Sequence, residues 1–159
     1  MDASTVPIDY RAAELADLDF LVASRLDFVH ADATDPAHAP LEANIRAYFA
    51  QVLAEKQCDV LLAESDGAVI GTGIVFYYRS VPSIFNPSGR NAYITSMYVR
   101  ADYRRRGIGT DILDRLVHLA RGKGFFLFFL QASDMGAPLY HKYGFRAGEA
   151  GMVLQCMPE

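Results

Sequence analysis

The chain has 159 residues, 52% of them hydrophobic, and its formal net charge at pH 7 is −4. A chain of this length and composition is expected to fold as a single domain, residues 1–159, around a well-formed core. The acidic balance argues against a general nucleic-acid-binding protein, and no apolar run reaches the roughly 18 residues of a membrane-spanning helix.

Neither the beginning of the chain nor its cysteines indicate export. The first nine residues lack the charged-then-apolar pattern of a signal peptide. Cys58 and Cys156 lie far apart in apolar surroundings, which favours two buried free thiols over a disulfide or a shared metal ion. We therefore expect a cytoplasmic protein without a metal site.

The first half of the chain predicts a strand, two helices and a β-hairpin. Asp35 and Pro36 are the residue types that open a helix, as N-cap and first position. Asp66-Gly67 is a typical hairpin turn, and the two glycines beyond it are candidate bulge positions. These glycines are Gly71 and Gly73. The strands are predicted over residues 6–12, 59–64 and 68–78, and the amphipathic helices over residues 15–29 and 41–53.

The second half predicts a strand, a glycine-containing turn, a helix and another strand. The first strand covers residues 91–99, and the helix opens at Gly107 and Gly109. The wholly apolar residues 125–130 are typical of a buried parallel strand. Together these elements form a βαβ unit, whose crossover should be right-handed.

A short helix and one or two strands are expected to complete the chain. Ser133 or Asp134 is predicted to cap the helix, which should end near Gly144, and the last strands should lie within residues 145–157. The hairpins of the first half predict antiparallel neighbours, and the βαβ unit adds one parallel pair. The fold class is therefore α+β with a mixed sheet.

The turn before the central helix has the features of a phosphate site. Four arginines lie within residues 100–106, and Gly107 and Gly109 follow them. The free N–H groups and the dipole of a helix N-terminus attract anions, and glycine lets a ligand approach the backbone closely. The alternative is an ordinary strand-to-helix turn with solvated arginines.

Two familiar nucleotide-binding motifs do not fit this turn. A dinucleotide-binding turn would need a third glycine where the chain has Ile112, and an acidic residue about 20 positions on, where residues 125–130 are apolar. A P-loop would need a lysine before its hydroxyl residue, but Thr110 and Asp111 directly follow the second glycine.

Two motifs carry a resemblance to a known family. Arg104-x-x-Gly107-x-Gly109, after a strand ending in Met-Tyr-Val, resembles the acetyl-CoA signature of the GNAT N-acetyltransferase superfamily. About 30 residues on, Leu139-Tyr140-x-x-x-Gly144-Phe145 is similar to the late Leu-Tyr-x-x-x-Gly-Phe segment of the same family. The close match covers roughly residues 91 to 146.

The resemblance implies a fold and an activity. It implies a central mixed, mostly antiparallel sheet with one parallel βαβ pair whose strands splay apart, and helices on both faces. It implies acetyl-CoA as co-substrate and direct transfer of the acetyl group to a primary amine, on a small molecule or a protein, in a ternary complex. The alternative is a non-catalytic acyl-CoA-binding or regulatory domain of the same fold. The expected partners are acetyl-CoA and the amine acceptor, without nucleic acid or membrane, and a homodimer is compatible with the sequence.

The resemblance also assigns site residues. Tyr140 takes the position of the family's general acid, a phenol that donates a proton to the leaving thiolate. Tyr143, one helical turn away, is expected to pack instead. The expected cofactor-binding residues are Met97, Tyr98, Val99, Arg104, Arg105, Arg106, Gly107, Ile108, Gly109, Thr110 and Ser133, with the three strand residues acting mainly through their backbone.

The sequence departs from the family in two places. Many members have a glutamate on the central strand that acts as the general base, whereas this chain has Thr95 and Ser96 there. The proton of the amine is then expected to leave through water, through a backbone carbonyl or through a more distant carboxylate such as Glu64. Ser133 stands where many members have an asparagine, although serine still donates and accepts hydrogen bonds.

The acceptor site is less defined by the sequence. Carboxylates near an aromatic wall would suit a cationic amine, and an ordinary solvated helix end is the alternative. The residues considered for this role are Asp27, His30, Asp32, Asp35, Tyr77, Tyr78 and Phe85.

Overall fold

The computed structural model describes residues 7–32, 34–148 and 155. Short 3-10 turns precede α1, α2 and α3. The strands are β1 Asp9–Ala12, β2 Cys58–Ser65, β3 Ala68–Arg79, β4 Arg90–Val99 and β5 Leu127–Leu130, and the helices are α1 Leu18–Phe28, α2 Ala39–Glu55, α3 Ile108–Gly122 and α4 Ala137–Tyr143.

The five strands form one sheet in the order β1-β2-β3-β4-β5. Neighbours are antiparallel from β1 to β4, and β5 runs parallel to β4. The predicted mixed, mostly antiparallel sheet with one parallel pair is confirmed. The last strands expected within residues 145–157 fall largely outside the described residues, and residues 145–148 form no strand.

Helices cover both faces of the sheet, as the resemblance implied. On one face α3 packs its apolar side against the sheet; its buried residues are Ile108, Ile112, Leu113, Leu116, Val117 and Ala120. On the other face α1 and α2 cover Val60, Leu62 and Ile74. Cys58 contributes to this second core as a buried free thiol, and burial raises its pKa to about 11. Cys156 lies outside the described residues.

Local turn chemistry sets several element ends. Asp66 and Gly67 have φ values of +50° and +73°, which is the left-handed pair that a tight hairpin turn requires. Asp35 accepts a hydrogen bond from the Ala37 N–H at 2.9 Å and precedes Pro36, so the predicted cap is confirmed. It opens a 3-10 turn that leads into α2.

The strand β5 differs from its prediction. It begins at Leu127 rather than at residue 125, and its side chains are only half-buried, with Phe129 42% exposed. Phe125 lies before the strand and packs its ring 4.5 Å from that of Tyr77, between ring centroids. The apolar run therefore reflects two packing environments rather than one buried strand.

Candidate active site

Residues 104–110 form the turn that leads into α3. Gly107 has a φ of +82° and occupies the N-cap position. The first backbone bond of the helix runs from the Asp111 N–H to the Gly107 carbonyl at 3.0 Å. The N–H groups of residues 108–110 therefore have no intrahelical acceptor, and with the helix dipole they form a cradle whose chemistry suits an anion.

The two glycines of this turn have different surroundings. A Cβ on Gly107 would meet nothing within 4 Å, whereas a Cβ on Gly109 would lie 3.0 Å from Leu139 of α4. Gly107 therefore has open space on its Cβ side, while Gly109 allows α4 to approach α3.

The arginines near the turn also form hydrogen bonds and a salt bridge with neighbouring residues of the chain. Arg104 donates to the Val99 carbonyl at 2.8 Å, and Arg106 donates to the Asp102 carbonyl at 2.9 Å. Arg100 forms a salt bridge with Asp102 at 2.8 Å. At least one arginine therefore joins the turn to the end of β4, a structural role that the sequence did not indicate.

The edge of β4 that faces β5 is paired over only its first half. Residues 91–94 pair with Leu127–Leu130, whereas β4 continues to Val99. Within the described ranges, residues 95–99 have no strand partner on this edge. An unpaired edge presents N–H and C=O groups with which an extended amide chain can form a further ladder.

An extra residue at Ser96 interrupts the regular pairing of β4. Thr72 pairs with Tyr98 and Ile74 with Thr95, so two steps along β3 match three steps along β4. Ser96 has a φ of +50°, as a bulged residue in the left-handed region. This bulge lies in β4, opposite Gly73 of β3. The prediction that Gly73 itself is a bulged residue is therefore wrong.

A second register shift accounts for the other predicted bulge. Ala63 pairs with Gly71 and Glu64 with Val69, so Ile70 is the extra residue of β3. The predicted position, Gly71, is its immediate neighbour. Gly73 instead provides close packing, since a Cβ there would lie 2.6 Å from atoms of Met97 and Ile112.

The bulge determines which face of the sheet each side chain of β4 occupies. Thr95 and Ser96 both face a cavity that lies between α1, α2 and the sheet. Met97 and Val99 pack into the core with α3, while the Tyr98 ring lies edge-on to an aromatic ring of α1. At 97 and 99 the side chains therefore serve packing, and the backbone remains available at the free edge.

The Tyr98 hydroxyl lies near a charged group of α1. Burial and the Asp27 carboxylate raise the pKa of Tyr98, while Arg104 and Arg100 oppose this shift. Tyr98 is thus a partly buried aromatic with a polar contact, and its position is consistent with packing as well as with lining a site.

Tyr140 and Tyr143 differ in their hydroxyl partners. Tyr140 is half-buried beside the α3 core, and burial raises its pKa. Its ring meets Phe145 edge-on at 6.0 Å between centroids. Tyr143 donates to Asp114 of α3 at 2.8 Å, and burial and this bond raise its pKa to about 12. Tyr143 packs against the α3 core as expected, and Tyr140 packs against the same core, so the acid role of Tyr140 stays a prediction.

A cavity of about 710 Å³ lies between α1, α2 and the sheet. This volume is within the range of small-molecule sites. The residues that line it are Arg25, Val29, Leu41, Asn44, Ile45, Tyr48, Phe49, Ile74, Phe76, Tyr93, Thr95 and Ser96.

Comparisons with known proteins agree with this arrangement. The model of the Acetyltransferase (GNAT) family matches residues 24–145. The chain belongs to the GNAT acetyltransferase family. The computed fold is similar to the crystal structure, with acetyl-CoA, of a protein from Clostridium acetobutylicum described as a predicted acetyltransferase: the TM-score is 0.83, the identity 30%, and the alignment covers 94% of this chain and 96% of that one.

Curated relatives of this GNAT chain are N-acetyltransferases by name. It is 34% identical to thialysine N-epsilon-acetyltransferase of Mus musculus over 52% of this chain, and 29% identical to glucosamine 6-phosphate N-acetyltransferase of Trypanosoma brucei brucei over 60%. The matched segments span 46% and 63% of those relatives. None of the helices that the structure describes is long and apolar enough to cross a membrane.

Ser133, where many GNAT proteins have asparagine, closes the turn before α4. Its hydroxyl accepts the Gly136 N–H at 3.2 Å, and its carbonyl accepts the Ala137 N–H at 2.9 Å. The N-cap of α4 is Gly136, so the prediction that Ser133 or Asp134 caps the helix is wrong by one turn. The Ser133 hydroxyl proton remains available for donation.

Glu64 is poorly placed to act as the missing base. Arg11 donates twice to one Glu64 oxygen, at 2.9 and 2.7 Å, and twice to Asp17, at 2.7 Å each. This network joins β1, β2 and the 3-10 turn before α1. The Glu64 carboxylate is engaged in this network, and Glu64 is not among the residues that line the cavity between α1, α2 and the sheet.

The acceptor residues considered from the sequence do not come together. Tyr77 donates to Asp59 on the α3 face of the sheet, and Phe85 is 95% exposed on the loop after β3. Asp32 accepts from Thr34 at 2.8 Å within its own loop. The lining of the cavity described above includes none of these residues; its charged member is instead Arg25, which helical periodicity alone did not single out.

Proposed function

We propose that the chain transfers an acetyl group from acetyl-CoA to a primary amine, directly, within a ternary complex. The observation that carries this proposal is the position of the anion-binding turn beside the unpaired part of β4. Arg104 links the two by its hydrogen bond to the Val99 carbonyl. The names of the relatives and the acetyl-CoA in the Clostridium structure support the same conclusion.

The residues present fit the chemistry of acetyl-CoA. This molecule has a pyrophosphate and an extended arm with amide groups, and it supplies the acyl group as a thioester. The N–H groups of residues 108–110 would hold the pyrophosphate, with Gly107 giving access and Arg104, Arg105 and Arg106 adding charge. The backbone of residues 97–99 would pair with the amides, and Ser133 would add one hydrogen bond.

The chain's own groups then meet the demands of the transfer. A backbone N–H of residues 97–99 would stabilise the negative charge that develops on the carbonyl oxygen. As the amine nitrogen bonds to the acyl carbon and the carbon–sulfur bond breaks, the sulfur takes a proton from Tyr140, which recovers one from water. The amine proton leaves through water, because Thr95 and Ser96 are poor bases.

The environment of Tyr140 supports its role as the acid. Burial raises its pKa, so the phenol remains protonated throughout the neutral range. Tyr140 follows Leu139 on α4, and the Leu139 side chain lies close to Gly109 in the first turn of α3.

The test combines binding with turnover. Calorimetry should show binding of acetyl-CoA and not of NAD, and a panel of amines should release free thiol. Tyr140→Phe should lower kcat about 100-fold without changing the affinity for acetyl-CoA. The matched variant Tyr143→Phe should retain kcat and lose about 1 kcal/mol of stability with its bond to Asp114.

Each alternative outcome has a distinct meaning. Tight acetyl-CoA binding without thiol release on any amine would favour the non-catalytic acyl-CoA-binding domain. Equal kcat in Tyr140→Phe and wild type would remove Tyr140 from the chemistry. Absence of acetyl-CoA binding would contradict the proposal as a whole.

A further inference from the structure

Arg25 lies on α1 where that helix crosses β4, and its half-buried side chain lines the 710 Å³ cavity. Its Nη1 donates to the Ser96 hydroxyl at 3.3 Å, and its guanidinium carbon lies 5.1 Å from the ring centroid of Phe28. One long hydrogen bond to a neutral hydroxyl leaves most of its five N–H donors directed at the cavity or solvent.

This guanidinium has no acidic partner, in contrast to three other arginines of the described residues. Arg11, Arg46 and Arg100 each contact a carboxylate within 2.8 Å. Among the described residues, no carboxylate oxygen lies within 4.0 Å of the Arg25 guanidinium. A partly buried cation without an anion is unfavourable unless a ligand supplies the charge.

The other residues that line the cavity indicate what kind of ligand would supply this negative charge. Arg25 is the one charged residue among those that line the cavity, whose other members are apolar or neutral polar. Asn44, Tyr48 and Thr95 offer neutral hydrogen-bonding groups. A polyamine would find no carboxylate here, whereas an amine that also carries an anionic group would pair with Arg25.

We propose that Arg25 binds the anionic group of a small amine acceptor, a carboxylate or a phosphate, and thereby selects amino acids or phosphorylated amines over simple amines and polyamines. This inference rests on the proposed function, since it assigns the acceptor class of the same site. Arginine is suited to the task because its planar fork of donors matches carboxylate and phosphate oxygens.

The position of Arg25 relative to the strand also limits the acceptor's size. Its partner Ser96 directly precedes residues 97–99, whose backbone would lie along the acyl donor. An anion at Arg25 therefore sits next to the region of transfer, and the reacting amine belongs to the same small molecule. Because Ser96 adjoins residues 97–99, a small amine can contact both Arg25 and the region of transfer.

The test uses pairs of amines that differ only by the anion: lysine and cadaverine, β-alanine and ethylamine, glucosamine 6-phosphate and glucosamine. With saturating acetyl-CoA, the wild type should favour the anionic member of at least one pair by 10-fold or more in kcat/KM. Arg25→Gln should remove most of this preference, about 10- to 100-fold, chiefly through KM, and Arg25→Lys should retain part of it. The carboxylate and phosphate pairs distinguish the two sources of the anion.

Two controls separate this inference from the function on which it rests. Arg46→Gln changes an α2 arginine that lies outside the cavity and pairs with Asp19, and it should leave every preference unchanged. All variants should bind acetyl-CoA with wild-type affinity by calorimetry.

A binding readout keeps the inference testable without turnover. Ligand-observed NMR on protein saturated with CoA should detect an anionic amine, and Arg25→Gln should abolish that signal. Anionic binding without acetylation would contradict the proposed function and retain the role of Arg25. Equal binding and turnover of both members of all three pairs, or preferences unaffected by Arg25→Gln, would overturn the inference.

Discussion

Replacing Gly107 by alanine examines whether the turn before α3 holds a pyrophosphate. With φ at +82°, a residue with a Cβ is strained by about 1–2 kcal/mol. The new Cβ would meet nothing within 4 Å, so this strain is the main effect on the protein itself. For a chain of this length, the melting temperature should fall by about 2–8 °C.

The effect on the ligand should be larger than the effect on stability. The added methyl group enters open space at Gly107, the residue that directly precedes the N–H groups of residues 108–110 that would hold the pyrophosphate. We expect the Kd for acetyl-CoA to rise at least 10-fold, equivalent to about 1.4 kcal/mol. Gly107→Val should abolish measurable binding, because a β-branched side chain is bulkier and resists this backbone conformation.

Gly67→Ala is the matched control for this experiment. Gly67 has a φ of +73° in the β2–β3 turn, and its Cβ would also meet nothing within 4 Å. Calorimetry and thermal unfolding should show equal losses of stability in the two alanine variants, with weaker acetyl-CoA binding only in Gly107→Ala. Wild-type affinity in Gly107→Ala would refute the reasoning, and equal loss of affinity in both would attribute the effect to strain.

The close packing of β3 against α3 and the ion pairs of β1 give further predictions. Gly73→Ala should destabilise the fold by about 1–3 kcal/mol in urea unfolding, because its Cβ would lie 2.6 Å from the Met97 sulfur. The control is Gly122→Ala at the end of α3, where a Cβ would meet nothing within 4 Å. This variant should be neutral or stabilising by up to about 1 kcal/mol. Arg11 lowers the pKa of Asp17 below its usual 3.8, so this interaction stabilises the fold above pH ~4 and is lost as the pH falls through the lower folded pKa. Arg11→Met should therefore lower stability at pH 7 and make the acid-dependent part of the decline shallower in unfolding series from pH 7 to 2; parallel curves for both proteins would count against the pairing.

Features that depend on a few neighbouring residues could be predicted from the sequence. The Asp66-Gly67 turn and the cap at Asp35 each follow from the conformational preferences of the residues concerned. The antiparallel neighbours of the first half followed from the hairpins, and the one parallel pair followed from the βαβ unit. Their confirmation shows that the local chemistry and the sheet topology agree in this chain.

Features that depend on pairing between distant strands could not be predicted. The bulge was expected at glycines of β3, but one of the two lies in β4 at Ser96, because a bulge is defined by the register of two strands and serine does not mark it. Nothing in the alternation of apolar and polar residues along β4 indicates at which point two consecutive side chains face the same side of the sheet.

The cavity between α1, α2 and the sheet escaped prediction for a related reason. The periodicity of α1 identifies its buried side, yet it does not say which of its polar residues meets β4. Carboxylates such as Asp27 were considered, and Asp27 does lie near Tyr98, but the crossing of α1 over the strand also brings Arg25 to Ser96. The cofactor-binding roles and the acid role of Tyr140 stay predictions that the proposed experiments test.

The bulge at Ser96 places two consecutive side chains of β4, Thr95 and Ser96, on the face of the sheet that the cavity occupies. Deleting Ser96 would restore regular alternation, and Met97, Tyr98 and Val99 would keep the faces that they have now. The cavity would lose one polar side chain and the hydrogen bond that Arg25 makes to it, while the core packed against α3 would keep all its residues. The bulge therefore adds a residue to the candidate site without displacing any side chain of the core.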